Sequence, residues 1–134
     1  MDSLTRGAVT PRSAWSIDDS AELYAIGAWG TGYFGINAAG HVVCRPDRNG
    51  EREIDLYEVV RELEARDLTA PVVLRFSDVL RDRLRWLHDA FASAITENDY
   101  KNRYAAVFPI KVNQQRLVVE AVYRGSAELG FGLE

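Results

Sequence analysis

Tyr104-Ala105-Ala106-Val107-Phe108-Pro109-Ile110-Lys111-Val112-Asn113-Gln114 is the stretch on which the fold turns. Val107, Phe108, Ile110 and Val112 give residues 104–112 the apolar character of a strand. Residues 114–123 then carry Leu117, Val118, Ala121 and Val122 at helical spacing. Gly125 reads as the end of that helix, and residues 129–133 as the next strand. Upstream, Val72-Val73-Leu74-Arg75-Phe76 has the pattern of a buried strand. Residues 77–98 follow as a long helix, with Leu80, Leu84, Leu87, Phe91 and Ile95 along one stripe. Strands that alternate with helices predict a parallel sheet with right-handed crossovers. Three parallel strands leave such a sheet incomplete. That predicts the beginning of a longer protein, with a complete small α/β domain as the alternative.

The preceding residues have a different rhythm. Residues 1–13 are small and polar and read as a disordered lead. Residues 16–29 predict one helix, with Ser16 as cap and Asp19 at the capping-box position. Residues 33–36 and 41–45 predict a hairpin around Asn37-Ala38-Ala39-Gly40. Residues 46–53 form a charged loop, and Asp55 caps a helix running to about Arg66. The expected division places residues 14–53 in one unit and 54–134 in another.

Within 134 residues, 47% are hydrophobic and 27% charged, which excludes collagen-like and wholly disordered classes. A net charge of -4 argues against broad nucleic-acid binding, which basic stripes carry. One cysteine, Cys44, allows no intrachain disulfide. No apolar run approaches a membrane span, and the first residues lack a signal peptide's apolar core. A cytoplasmic protein is the expectation, with neither nucleic acid nor membrane as partner.

Fourteen of the sixteen basic residues are arginine. Lys101 lies in a polar turn, but Lys111 lies in the apolar stretch near the end of a predicted parallel strand. Open-sheet and barrel α/β enzymes place their chemistry at that end. A buried lysine loses its proton more readily, and a neutral amine forms Schiff bases with aldehydes. The plain alternative is a snorkelling or ion-paired lysine at a strand edge. Glu134 ends the next predicted strand, on the same rim, where it can tune Lys111.

Three other patterns carry less. Gly30-Thr31-Gly32-Tyr33-Phe34-Gly35 matches a dinucleotide fingerprint in letters, but it follows a helix and leads into a strand. It reads as a helix stop and turn. His41, Cys44 and His88 lack metal-ligand spacing. Asp78, Arg81, Asp82, Arg83 and Arg85 read as a solvated helix face.

Over nearly its whole length from Trp15, the sequence resembles the biosynthetic arginine decarboxylase family, of the alanine-racemase-like barrel class. Trp15-Ser16-Ile17-Asp18-Asp19, Trp29-Gly30-Thr31-Gly32-Tyr33-Phe34 and Gly40-His41-Val42-Val43 carry the likeness at the opening. Leu74-Arg75-Phe76-Ser77-Asp78 carries it in the first barrel unit, and the segment from Tyr104 through Gln115 at the cofactor lysine. The resemblance implies the first three β-α units of a TIM-like (β/α)8 barrel, preceded by a helix and hairpin of the β-rich domain. It implies that Lys111 holds pyridoxal 5'-phosphate as a Schiff base and that Glu134 lies near it. The implied reaction converts L-arginine to agmatine and carbon dioxide in polyamine synthesis, in a homo-oligomer with which magnesium is associated. Barrel decarboxylases for ornithine, lysine or diaminopimelate are the alternatives within the class, and the opening favours arginine. A non-enzymatic pyridoxal-phosphate carrier or structural domain is the alternative outside it. The isolated chain is expected to be inactive.

Overall fold

The Ser16 hydroxyl accepts from the Asp19 N–H at 3.1 Å, and the Asp19 carboxylate accepts from the Ser16 N–H at 2.7 Å. This is the capping box that the sequence predicts. The protein is seen in a computed structural model that describes residues 14–134. The expected disordered lead, 1–13, lies outside the described residues.

Helix α1 spans Ile17–Leu23 and α2 spans Ile26–Gly30. The single helix predicted over 16–29 is thus broken at Ala25, whose φ of 49° is left-handed. The break brings Ile26 into the core, where it is buried. The Trp29 indole N–H then donates to the Tyr24 carbonyl at 3.0 Å, an acceptor at the broken helix end.

Strands β1 (Phe34–Ile36), β2 (Val42–Cys44) and β3 (Ile54–Asp55) form an antiparallel sheet in that order. Phe34 pairs with Cys44 and Ile36 with Val42, as the predicted hairpin requires. β3 was not expected. Its two residues are too few to show an alternating pattern, and the free edge of β2 supplies the ladder. Val43 and Cys44 are fully buried beside Tyr33.

Asp55 caps helix α3 (Leu56–Glu64), accepting from the Tyr57 and Glu58 N–H groups at 2.9 and 3.2 Å. The same carboxylate accepts from Asn37 Nδ2 and His41 Nδ1, each at 2.8 Å. One side chain therefore ties the hairpin turn to α3. Burial pushes the Asp55 carboxyl up, but hydrogen bonds from His41, Glu58 and Asn37 outweigh it and hold the group below 3.8. A carboxylate depressed in the fold stabilises it above the unfolded value, and this is lost as pH falls through the folded value. Asp55→Asn removes that contribution. Thermal midpoints measured from about pH 7 to about pH 3 should fall less steeply for Asp55→Asn than for the wild-type chain. Equal slopes would show that Asp55 does not couple folding to pH.

The second half is built on helices α4 (Ser77–Glu97) and α5 (Arg116–Leu129), which pack together. Gly125 does not end α5 as expected. It is buried, and a Cβ there would stand 3.4 Å from Leu84 Cδ1, so the glycine serves close helix approach. Gly130, with φ of 70°, is the stop. β4 (Val107–Phe108) and β5 (Gly132–Leu133) form a parallel pair, Val107 opposite Gly132 and Phe108 opposite Leu133. Both strands are shorter than predicted. The Tyr104 ring stacks on Phe91 of α4 at 3.9 Å and meets Phe131 edge-on at 6.3 Å, which ties the residues leading into β4 and β5 to α4.

The buried first strand predicted over 72–76 is not formed. Phe76 is extended, but the segment joins no sheet, and Val73 is 74% exposed. Strand propensity expresses packing against neighbours, and here no ladder partner is in place. The described residues therefore form a mixed α/β fold with one antiparallel sheet and one parallel pair. The expectation of three parallel strands is corrected to two.

Candidate active site

Pro109 follows β4 and has no N–H for a ladder. The chain turns there into a 3-10 turn, Ile110–Val112, instead of continuing the predicted 104–112 strand. Lys111 thus sits just beyond the C-terminal end of β4, on a turn, and is exposed. Its position agrees with the expectation and its environment does not. The burial that would favour a neutral amine is missing among the described residues.

Glu134 follows β5 on the adjacent strand end. The Ile110 N–H donates to the Glu134 carbonyl at 2.8 Å, and the Glu134 N–H donates to the Phe108 carbonyl at 3.0 Å. These bonds extend the parallel ladder past both strands and bring Lys111 and Glu134 to one rim. The Glu134 side chain is also exposed. A primary amine displayed at a strand end is the donor chemistry that an aldehyde cofactor needs.

Other candidates resolve into structure. Gly30 ends α2, Gly32 has a φ of 85°, and a Cβ on Gly35 would meet the Arg45 guanidinium at 2.5 Å. Local geometry accounts for all three glycines. Cys44 is buried, which pushes its thiol up and disfavours thiolate chemistry. No group of three metal-ligating side chains converges among the described residues, so no residue here is assigned to magnesium. A cavity of about 370 Å³, lined by Phe91, Ile95, Tyr100, Arg103 and Tyr104 among others, lies on the chain entering β4. It contains neither Lys111 nor Glu134.

The charged face of α4 does more than meet solvent. Tyr33 Oη donates to Asp82 at 2.6 Å, Arg48 pairs with Asp82 at 3.0 Å, and Arg52 pairs with Asp78 at 2.7 Å. Burial, then the bond to Asp82, pushes the Tyr33 phenol up, which keeps it a donor. The Arg52 guanidinium holds the Asp78 carboxyl below its ordinary value. The hairpin segment is thereby anchored to the start of α4. Sequence spacing could not reveal this, because the partners are 26 to 49 positions apart.

No family model matches the chain. In sequence it is similar to the biosynthetic arginine decarboxylase of Thermosynechococcus vestitus, 49% identical over 126 residues. That match covers 94% of this chain and 20% of the relative. The enzyme of the same name from Rhodopirellula baltica is 49% identical over 122 residues, 91% of this chain and 18% of the relative. That from Gloeobacter violaceus is 48% identical over 120 residues, 90% and 19% respectively. The chain thus spans about a fifth of the length of the curated relatives it matches.

Proposed function

We propose that the chain is the N-terminal segment of a biosynthetic arginine decarboxylase, the part that carries its cofactor lysine. The observation that carries this reading is Lys111 at the end of a parallel strand, beside Glu134, in a chain about half identical to enzymes of that name. Residues 56–134 open the cofactor-binding barrel, and β3, which pairs with β2, belongs with residues 14–53 in the β-rich domain. The whole enzyme converts L-arginine to agmatine: the carboxylate leaves as carbon dioxide and a proton takes its place on Cα. Pyridoxal 5'-phosphate supplies the electron sink for that step.

Lys111 holds the cofactor through Nζ. Glu134 stands at the neighbouring strand end, its backbone carbonyl bonded to the Ile110 N–H next to that lysine. The 3-10 turn displays Lys111 away from the sheet, where a ligand can reach it. The remaining contacts to phosphate and to the arginine guanidinium belong to the rest of the enzyme. The family resemblance of the sequence further implies a cytoplasmic homo-oligomer with which magnesium is associated.

The test is substrate turnover by the full-length protein. Arginine should yield agmatine, with ornithine, lysine and diaminopimelate at least about a hundredfold slower. Faster ornithine or diaminopimelate turnover overturns the assignment. The 134-residue chain alone should form no measurable agmatine, because barrel enzymes draw their catalytic groups from several strand ends. Turnover by the short chain comparable to that of the whole enzyme contradicts the reading of it as a segment.

A further inference from the structure

The turn that displays Lys111 is three residues long, and an isolated 3-10 turn has poor hydrogen-bond geometry of its own. Upstream it is pinned to the sheet by the bond from the Ile110 N–H to Glu134. Within it, the Val112 and Asn113 N–H groups donate to the Pro109 and Ile110 carbonyls, each at 3.1 Å. Packing adds little, since Lys111 is exposed and Val112 is 74% exposed. Downstream, the side chain that closes the turn onto α5 is Asn113. Its Oδ1 accepts from the Gln115 N–H at 3.1 Å, and Gln115 is the N-cap of α5 with no side-chain cap of its own. Asn113 is half-buried, unlike its neighbours Lys111, Val112 and Gln114.

We propose that Asn113 is a positioning residue that fixes the direction in which Lys111 leaves the sheet, by locking the 3-10 turn to the N-terminus of α5. The proposal rests on Lys111 being the cofactor lysine. The role needs a short side chain with an acceptor oxygen, as Asx turns do. Aspartate keeps that acceptor and suits a helix N-terminus, while alanine removes it.

The experiment uses the full-length enzyme with Asn113→Ala and Asn113→Asp. Three quantities are measured: pyridoxal-phosphate affinity from the absorbance of the lysine adduct, the residue labelled by borohydride reduction, and the thermal midpoint without cofactor. Asn113→Ala should weaken cofactor affinity about three- to tenfold, the scale of one net hydrogen bond. Its thermal midpoint should stay close to wild type. Asn113→Asp should restore the affinity to within about twofold. The idea fails if alanine leaves affinity unchanged, or if aspartate weakens it as much as alanine does. It also fails if affinity falls only in step with the thermal midpoint, which marks a merely structural asparagine. Label on a lysine other than Lys111 in the wild-type enzyme overturns the underlying site assignment, and this proposal with it. Label on Lys111 with unchanged affinity overturns this proposal alone.

Discussion

Lys111→Ala in the full-length enzyme should lower agmatine formation by on the order of a thousandfold or more, as expected when a covalent anchor is deleted. Alanine has no amine, so no repacking restores the bond to the cofactor. Lys111→Arg should fail as well, because a guanidinium stays protonated and is a poor nucleophile. Lys101→Ala is the control. Lys101 lies in the exposed turn after α4, where it pairs with Asp99, and its removal should leave turnover within about twofold, as for other surface positions. Borohydride reduction followed by peptide mapping reads the outcome independently of activity. Label on Lys101, or a Lys111→Ala enzyme that still carries reducible cofactor, refutes the assignment.

Val122→Asp should strongly destabilise the second half of the 134-residue chain. Val122 is fully buried on α5, in the half where α4 and α5 pack. A carboxylate there has no partner in place and costs about 3 kcal/mol or more. That is a large fraction of the roughly 5–15 kcal/mol that stabilises a typical domain. Leu117→Asp tests the other face of the same helix. Leu117 is 71% exposed, so its substitution should stay within about 0.5 kcal/mol. Urea unfolding followed by helical circular dichroism separates the two. Equal midpoints for both variants would mean that α5 does not present Val122 to the core.

The parts of the fold legible in the sequence are those with local causes. Ser16 and Asp55 announce helix starts because a cap acts over three residues, and both caps form. The stripe of Leu80, Leu84, Leu87 and Ile95 marks α4 because helical period is a local property. The hairpin formed in register for the same reason. Lys111 and Glu134 each follow an apolar strand pattern in the sequence, and the parallel ladder joins the backbones of those two strand ends.

The tertiary structure decided the rest. Residues 72–76 have strand composition but no ladder, because pairing belongs to two segments and not to one. Gly125 has the letter of a helix stop, yet the approach of Leu84 makes it a packing position. Asp78 and Asp82 look like parts of a solvated face until Arg52, Arg48 and Tyr33 arrive from the hairpin. Lys111 shows the division within one residue. Sequence determined the amine and its place after a strand. The parallel pairing of β4 with β5, and the turn that Pro109 begins, decided that Lys111 stands exposed at the rim, on the strand end whose backbone meets that of Glu134. Chemical identity and periodicity are written along the chain, while burial and partnership depend on segments that meet only when it folds.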